Sequence, residues 1–312
     1  MEPVKVSVII PCYNEEATIE ELLSALLAQT YPIDLMEVII ADGMSTDRTR
    51  EKITAFKAGH PQLTIRVVDN HQRTIPAALN QAIQASTGAV LSRMDAHAIP
   101  APDYIEKCLR ALNAGLGENV GGVINIRAGS DTWVGRAIAV ATAHPLGVGD
   151  AHYRTATKAG VTDTVAFGTY RRDLVKSIGG YDESLRINED YEFNTRVRRS
   201  GGKIWVDPAI RVDYYSRPDL RSLARQYFSY GYWKYKMLRR HPDSLRWRQA
   251  LPPVFVSGIL MLSLLSTFWI PARILLAGVA SLYLAILVTG TIQPAIQQKR
   301  SSLIPGVPLA IM

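Results

Sequence analysis

The chain has 312 residues, 47% of them hydrophobic, and a formal net charge of +7. A chain of this length can bury one large α/β core and keep residues for a smaller appendage, so we expect one main domain with an extension. Its two cysteines, Cys12 and Cys108, lie in stretches with the pattern of buried elements. Two cysteines are too few for a disulfide framework, which excludes a disulfide-rich scaffold and is typical of a reducing compartment.

Positive charge is concentrated in residues 217–248. This segment holds nine Lys and Arg against two Asp and Glu, an excess equal to the net charge of the whole chain. It leads directly into an apolar region, a pattern that favours a juxtamembrane belt facing anionic lipid over a nucleic-acid-binding surface. We expect membrane lipid as a partner and no nucleic acid. No basic and then apolar leader precedes Val4, so we expect the first domain to stay in the cytoplasm.

The first third of the chain alternates strand and helix patterns. The predicted elements, in chain order, are strand 6–10, helix 15–29, strand 38–41, helix 46–56, strand 63–68, helix 75–86 and strand 90–94. This order predicts a doubly wound parallel sheet, in which ligands bind beyond the carboxyl ends of the strands. Residues 13–15, Asp42 and Asp95 each follow a predicted strand. We therefore expect these polar groups to converge on one crevice.

The second part of the chain is less regular. The patterns predict strands at 121–126 and 165–170, a loop-rich stretch over 137–159, and a helix that begins near Glu189. A further helix over 220–240 carries aromatic residues among basic ones, which is the composition of an interfacial amphipathic helix.

Two uncharged stretches follow, residues 249–272 and 274–298, with Arg273 between them. Each is long enough to span a bilayer. Basic residues precede the first and follow the second, so the positive-inside rule places both flanks in the cytoplasm. A buried helical hairpin stays an alternative, because Ser and Thr dilute the first stretch. The apolar end at 303–312 is too short to span and suits a cytoplasmic or re-entrant tail.

Several motifs suit glycosyl transfer from a sugar diphosphate, which needs a nucleotide pocket, a cation and a general base. The run Pro11-Cys12-Tyr13-Asn14-Glu15-Glu16 follows a strand and opens a helix, whose free N–H groups favour an anion. Asp42 could accept from a base or ribose, or simply cap a turn. Asp95 and His97, one residue apart, could bind Mg²⁺ or Mn²⁺ together with phosphate oxygens, or serve as a turn carboxylate and a packing histidine.

A pair of adjacent carboxylates, Glu189 and Asp190, begins a predicted helix after Asn188. Neighbouring carboxylates raise each other's pKa, which suits a general base. Ordinary acidic capping of a helix start explains the same pair, so both interpretations stay open at this point.

Four motifs in register carry a resemblance to a known family. They are residues 8–15 (VIIPCYNE), 41–49 (ADGMSTDRT), 95–97 (DAH) and 189–190 (ED). In this order they resemble family 2 glycosyltransferases of GT-A fold. Residues 225–231 and the apolar hairpin look more narrowly like succinoglycan-type glucosyltransferases, which extend a polyprenyl-diphosphate-linked oligosaccharide in bacterial exopolysaccharide synthesis.

The resemblance implies site residues for the donor. The residues implied to bind the nucleotide sugar are Pro11, Tyr13, Glu15, Asp42, Asp95, Arg225 and Gln226. Apart from the resemblance, Arg73 follows the predicted strand end at Asp69-Asn70 and could bind the diphosphate or base of the donor, or be an ordinary surface charge. Asp95 and His97 are implied as metal ligands, with His97 standing where many members have a second Asp. Arg225 and Gln226 match a Gln/Arg-rich motif on an interfacial helix, although the usual Trp is not obvious.

The resemblance also implies the chemistry. Asp190 matches the catalytic base of an in-line displacement that inverts the anomeric carbon, and Glu189 orients it or touches the acceptor. Gly168 and Thr169 are implied to shape the acceptor side. The enzyme is then a metal-dependent inverting hexosyltransferase that uses Mn²⁺ or Mg²⁺ and a UDP-sugar, with UDP-glucose expected through the resemblance alone.

The expected architecture is a GT-A catalytic domain, Rossmann-like with a doubly wound mixed sheet, over residues 1–216. A basic aromatic interfacial helix (217–248), two transmembrane helices (249–298) and the tail (299–312) complete it. We expect the protein in the bacterial inner membrane, with the catalytic domain on the cytoplasmic face and a polyprenyl-diphosphate-linked saccharide as acceptor.

Two alternatives remain open. A processive polysaccharide synthase also exports its chain, but two predicted spans are too few for a polymer channel unless the protein forms a homo-oligomer. A non-catalytic membrane protein that binds a sugar nucleotide or a lipid carrier is the second, and it would have no use for a base such as Asp190.

Overall fold

The computed structural model describes residues 4–312, which form two compact units. The first unit comprises the chain up to residue 125 together with residues 152–214 and 229–237. The second comprises residues 126–151, 215–228 and 238–312. Residues 1–3 lie outside the described residues. The expectation that no leader precedes Val4 falls on these residues. The division of the chain into four consecutive segments stays a prediction.

The first unit is built on a mixed sheet of nine strands. The strands are β1 Val6–Cys12, β2 Met36–Asp42, β3 Thr64–Asp69, β4 Val90–Arg93, β5 Ala98–Pro100, β6 Asn119–Arg127, β7 Gly160–Thr162, β8 Thr169–Arg171 and β9 Ile204–Tyr215. Their order is β3-β2-β1-β4-β8-β6-β9-β5, and β7 pairs with β9. The first four strands are parallel, whereas β8 is antiparallel to both β4 and β6. The α/β class with a mixed sheet is thus confirmed.

Thirteen α-helices occur in residues 4–312. They are α1 Ile19–Leu27, α2 Thr49–Gly59, α3 Ile75–Ala85, α4 Tyr104–Asn113, α5 Trp133–Ala143, α6 Pro145–Val148, α7 His152–Thr155, α8 Arg172–Ile178, α9 Glu189–Arg199, α10 Leu220–Leu238, α11 Trp247–Leu265, α12 Ile270–Gln297 and α13 Leu303–Ile311. Short 3₁₀ turns occur at Ile33–Leu35 and Pro242–Ser244.

The core of the first unit lies where the central strands meet the helices. Ile9, Ile39 and Leu91 come from three neighbouring strands and are fully buried. Leu79 of α3 and Phe193 of α9 belong to the same cluster. Strands covered on both faces need apolar side chains on both, which explains the unbroken apolar runs in the sequence. Each such buried side chain contributes about 1.5–3 kcal/mol relative to exposure.

Prediction and structure differ in the irregular part of the chain. The strand predicted at 165–170 is shorter and later, since β8 is Thr169–Arg171. Residues 137–159, predicted as loop-rich, contain the end of α5 and all of α6 and α7. Strand β9 was not anticipated, because Pro208 within it cannot donate to the ladder and argues against a strand. The structure tolerates this proline inside the twelve-residue strand.

The second unit contains the apolar helices. By length and composition alone, α11 and α12 can each cross a membrane, and few of their residues are buried. In the same unit, α13 packs on α5 and α12 through Ala137, Ala295 and Leu303. Gly306 makes this packing close, since a Cβ there would lie 2.7 Å from the Cβ of Ala137. The two long helices match the expected hairpin, joined by the short turn at 266–269.

Candidate active site

The loops after β1 and β2 are joined to each other by hydrogen bonds. Ser45 Oγ accepts from the backbone N–H of Asn14 at 2.9 Å, and Thr49 Oγ1 accepts from that of Glu15 at 2.8 Å. Asn14 has a φ of 54°, in the left-handed region that Asn tolerates. Because the two motifs hold each other, the sequence runs at 11–16 and 41–49 form one structural element.

Asp42 ends β2 and is fully buried. Its carboxylate accepts from Ser45 Oγ and from Arg50 Nε, each at 2.5 Å. Arg50 also donates through Nη2 to Asp69 at 2.5 Å, and Asp69 ends the neighbouring strand β3. Arg50 therefore clamps two strand ends. A nucleotide contact by Asp42 stays a prediction, and it requires Ser45 or Arg50 to share its hydrogen bonds.

The other predicted nucleotide residues follow the same edge of the sheet. Tyr13 is 47% exposed, and its Cβ lies 3.3 Å from the position that a Cβ would take at Gly43. Pro11 is half-buried within β1. Arg73 is exposed in the loop after β3, with a φ of 54°. The structure thus brings these residues to the carboxyl ends of β1, β2 and β3, as the ligand rule for such sheets predicts.

A buried arginine lies at the end of β4. Arg93 is 4% exposed, and its Nη2 donates to Glu189 Oε1 at 2.8 Å and to Asp95 Oδ1 at 3.2 Å. Its guanidinium carbon lies 5.9 Å from the centre of the Tyr181 ring. One side chain therefore connects the carboxylate that follows β4 to the carboxylate that begins α9.

Helix α9 presents Glu189 and Asp190 from its first turn. Asn188 precedes them with a φ of 66°. Burial raises the pKa of Glu189 to about 7, with Arg93 opposing and the Asp190 charge adding to the rise. Burial also raises the pKa of Asp190, again against Arg93. Asp190 is the more exposed of the two carboxylates, so it is the better placed to meet a substrate.

Glu15 and His97 form a hydrogen-bonded pair. His97 Nδ1 lies 2.9 Å from Glu15 Oε1, and the imidazole packs at 5.0 Å from the ring of Tyr214. Histidine ligands of metals usually have one ring nitrogen bonded to a carboxylate in this way, which fixes the tautomer. Glu15 was predicted to line the nucleotide pocket, and the structure places it against His97.

The acidic groups suit a divalent cation in part. Among residues 4–312, no cluster of three or more Asp, Glu, His or Cys side chains has the geometry of a metal site. Mg²⁺ and Mn²⁺ in phosphate-transfer sites need only one or two protein ligands, since substrate oxygens supply others. The Asp95 and His97 side chains are 21% and 28% exposed, and they offer a carboxylate oxygen and an imidazole nitrogen, donors that Mn²⁺ accepts. The donor set therefore fits such a cation.

Gly168 directly precedes β8, and Thr169 is the first residue of that strand. Thr169 has no exposed surface, and its hydroxyl lies 2.8 Å from that of Ser92. The Gly168 carbonyl accepts from the backbone N–H of Arg93 at 2.9 Å. Both residues hold strand β4 in place beside the Arg93 cluster, and their assignment to the acceptor side stays a prediction.

Comparison with known proteins decides the family. The model of glycosyl transferase family 2 matches residues 7–179, which is more than half of the chain. The chain belongs to this family. The match includes the motifs that contain Asp42 and Asp95 but ends before Glu189, so the role of the carboxylate pair is not part of it.

This family 2 glycosyltransferase has relatives among characterised proteins. It is 34% identical to the succinoglycan biosynthesis protein ExoA of Rhizobium meliloti (strain 1021), over 78% of this chain and 73% of that protein. It is 29% identical to a dolichyl N-acetyl-alpha-D-glucosaminyl phosphate 3-beta-D-2,3-diacetamido-2,3-dideoxy-beta-D-glucuronosyltransferase of Methanococcus voltae, over 78% of this chain and 76% of that protein.

Solved structures agree with the fold. The mannosyltransferase PcManGT from Pyrobaculum calidifontis, in complex with GDP-Man and Mn²⁺, superposes with a TM-score of 0.66 over 99% of this chain and 86% of that chain, at 22% identity. TarS of S. aureus in complex with UDP-GlcNAc gives a TM-score of 0.53 over 68% of this chain and 59% of that chain, at 19% identity. The glycosyltransferase fold is thus shared at low sequence identity.

Two arginines of this glycosyltransferase site were missed in the sequence. Arg93 stands in the otherwise uncharged run Val90–Arg93, and Arg50 follows the Asp42 motif in α2. A charged side chain in a strand predicted to be buried needs a carboxylate partner, and that requirement was the available signal. Arg225 and Gln226 lie on α10 in the second unit, and their contact with the donor diphosphate stays a prediction.

Proposed function

We propose that the chain is an inverting hexosyltransferase that moves glucose from UDP-glucose onto a polyprenyl-diphosphate-linked oligosaccharide in exopolysaccharide synthesis. The observation that carries the proposal is the bridge from Asp95 through Arg93 to Glu189. It supports the proposal because it connects the strand end expected to meet the donor with the helix that carries the expected base. The 34% identity to a succinoglycan biosynthesis protein supports the product class.

In the proposed reaction Asp190 is the general base. Its carboxylate accepts the proton of the acceptor hydroxyl while the oxygen forms a bond to the anomeric carbon. The bond from that carbon to the diphosphate breaks on the opposite side, and its electron pair leaves with the diphosphate, so the configuration inverts. A raised pKa makes Asp190 a better proton acceptor than an ordinary surface carboxylate.

Glu189 has a supporting role in this proposal. Glu189 is 5% exposed and accepts a hydrogen bond from Arg93, and this bond fixes the orientation of the first turn of α9. Its pKa of about 7 leaves it partly protonated near neutral pH, which limits the negative charge beside Asp190. A direct contact of Glu189 with the acceptor, expected from the resemblance, belongs to the same proposal.

The residues proposed to hold Mn²⁺ or Mg²⁺ are Asp95 and His97, with Glu15 orienting the imidazole. The cation, when bound, supplies positive charge that offsets the charge of the departing diphosphate. Pro11, Tyr13, Asp42 and Arg73 are proposed to form the nucleotide pocket beside it.

Calorimetric titration of the detergent-solubilised protein tests the donor site. UDP, GDP and their glucose conjugates are compared, each with and without Mn²⁺ or Mg²⁺. The proposal expects metal-dependent binding of UDP and UDP-glucose. Preference for the guanine nucleotide would overturn the choice of UDP, and absence of binding by all four would overturn the donor site itself.

The membrane part of the proposal rests on the second unit. Helices α11 and α12 have an apolar surface long enough to cross a bilayer, and Lys299 and Arg300 follow α12. On the positive-inside rule, we propose that both flanks and the catalytic unit lie on the cytoplasmic face, and that the membrane is the bacterial inner membrane. Cysteine labelling in intact cells tests this topology. The introduced thiol of Arg273→Cys should react with an impermeant reagent, whereas that of Ser301→Cys should not, and the reverse pattern would contradict the orientation.

Transfer to a lipid-linked acceptor has its own test. Membranes that contain the protein are incubated with labelled UDP-glucose and polyprenyl-diphosphate saccharides, and the product is sized. Addition of a single sugar is the expected result. A ladder of many additions would replace this proposal with a processive synthase.

A further inference from the structure

Arg93 is a buried cation with two carboxylate partners, Asp95 just after β4 and Glu189 at the start of α9. Its backbone N–H is fixed to Gly168 at 2.9 Å, so the end of β4 cannot shift without breaking the pairing to β8. The guanidinium reaches Glu189 at 2.8 Å and Asp95 at 3.2 Å through the same atom, Nη2. Because both carboxylates accept from the same atom, a shift of either carboxylate also disturbs the hydrogen bond of the other.

The remaining donors of Arg93 distinguish it from an ordinary ion pair. Its Nε and Nη1 are buried and have no hydrogen-bond partner among the described residues. Buried donors without a partner are unfavourable, and structural arginines are normally well satisfied. Arg196, on the same α9, is an example. Its side chain binds Glu192 in a bidentate pair and also bonds to three backbone carbonyls.

If the fold needed only a hydrogen-bond partner for the Glu189 carboxylate, a cation reaching in from the surface or a neutral donor could supply it. Removal of both charges from a buried pair is often neutral for stability, so a buried pair is weak support for a purely stabilising role. The position of Arg93, between two carboxylates with different proposed roles, is better explained by a need to fix their separation. Catalytic groups must be held to within about 0.5 Å of the productive geometry.

We infer that Arg93 is a positioning residue that holds Asp95 and Glu189 in a fixed relation, and so aligns the donor side of the site with the general base on α9. The inference rests on the proposed function and adds a residue to it. Arg93 does not touch the substrate in this role. It acts through Asp95 on donor binding and through Glu189 on the orientation of Asp190.

This role has a distinctive signature. Loss of Asp95 should weaken donor binding, and loss of Glu189 should lower turnover. Loss of Arg93 should do both, because it releases both carboxylates. Loss of supporting groups around functional sites typically lowers affinity or activity by about 10–100-fold. We expect Arg93→Met to lower kcat and metal-dependent UDP affinity, each by at least about tenfold.

Arg196 supplies the matched control. Like Arg93 it pairs with a buried glutamate, Glu192, and its guanidinium lies near an aromatic ring, 5.4 Å from the centre of Phe193. Arg196→Met and Arg93→Met are compared by calorimetric titration with UDP and Mn²⁺, by transfer kinetics and by the thermal unfolding midpoint. We expect Arg196→Met to lower the midpoint while kcat and UDP affinity stay within about threefold of the wild type.

The conservative variants keep the test informative if Arg93→Met does not fold. Lys retains the charge but lacks the planar fork of Arg, so Arg93→Lys should retain the fold and lie between the wild type and full loss in both measurements. The inference is overturned if Arg93→Lys and Arg196→Lys are equivalent in kcat and in UDP affinity. It is also overturned if Arg93 variants affect stability alone.

A double variant tests the route through Glu189. If Arg93 acts on turnover through that carboxylate, Arg93→Lys combined with Glu189→Gln should lower kcat no further than the larger single effect. Fully additive losses would contradict the route. If the wild type does not bind UDP with metal, the proposed function is overturned, and the inference falls with it. If the wild type binds UDP but the Arg93 and Arg196 variants behave alike, the inference alone is overturned.

Discussion

Two buried glutamates lie near opposite ends of the parallel strands β1–β4, and their environments differ sharply. The amino edge is the side of the sheet where these strands start, and the carboxyl edge is the side where they end. At the amino edge, Glu37 Oε1 accepts hydrogen bonds from Ser7, Thr87 and Gly88, at 2.5–3.3 Å. Burial alone raises its pKa, but these hydrogen bonds outweigh burial and lower the pKa to about 2. At the carboxyl edge, burial raises the pKa of Glu189 to about 7.

The difference lies in how completely each carboxylate is satisfied. Glu37 joins the starts of β1 and β2 to the turn before β4, with several donors on one oxygen and Lys5 at 3.4 Å from the other. Glu189 has Arg93 as its cation, and Arg93 is shared with Asp95. A fully bonded carboxylate stabilises the fold, whereas carboxylates kept short of partners retain proton affinity that chemistry can use.

The largest expected effect tests the carboxyl edge. Asp190→Asn should lower turnover by at least about a hundredfold, because the amide cannot accept the proton of the acceptor hydroxyl. Binding of UDP with Mn²⁺ should remain close to that of the wild type, as measured by calorimetry. Asp173→Asn, which alters an exposed pair with Lys176, is the control. Unchanged turnover in Asp190→Asn would remove Asp190 from the mechanism.

At the amino edge the loss should be one of stability. Glu37→Gln should reduce the free energy of unfolding by about 1–3 kcal/mol, since the amide leaves buried donors poorly paired. Its folded-state pKa is depressed, so the stabilisation is present above about pH 4.5 and is lost as the pH falls toward 2. The unfolding midpoint across this pH range, against Glu51→Gln on the surface, measures it. A midpoint equal to that of Glu51→Gln would contradict the comparison of the two edges.

Asp95→Ala should weaken metal-dependent UDP binding by at least about tenfold, the usual scale for groups that support a metal site. Asp103→Ala, which breaks an exposed pair with Lys107, should leave the affinity unchanged. Calorimetry with UDP and Mn²⁺ measures both variants. Equal affinity in the two would show that the carboxyl edge does not bind the donor through Asp95.

The last prediction concerns the pH dependence of stability at the carboxyl edge. The folded-state pKa of Glu189 is raised from 4.5 to about 7, so its contribution is fully present below pH 4.5 and is lost as the pH rises toward 7. Glu189→Gln should remove this part of the slope, opposite in sign to the effect of Glu37→Gln. Unfolding midpoints measured between pH 4.5 and 7 decide the matter. A slope identical to that of the wild type would mean that Glu189 is ionised throughout.

Hydrophobic patterning predicted the parallel half of the sheet well, because β1 and β2 contain runs of consecutive apolar residues and α1 has an apolar stripe. Asp42 and Asp95 were chosen as candidate site residues by the same route, since each stands at or just after the end of a predicted strand. The antiparallel half was harder. Strand β9 contains Pro208, and β5, β7 and β8 have three residues each, too few for a period to be recognised.

The sequence by itself determined the fold class, the family and the order of the motifs, because those depend on local patterns and spacing. Only the tertiary structure decided which charges are partners. Arg93 meets Glu189 across 96 residues of sequence, and Glu15 meets His97 across 82. Such pairs are selected by burial and by the approach of separate elements, so no periodicity reports them. The raised pKa values of Glu189 and Asp190 likewise arise only once those groups are enclosed together.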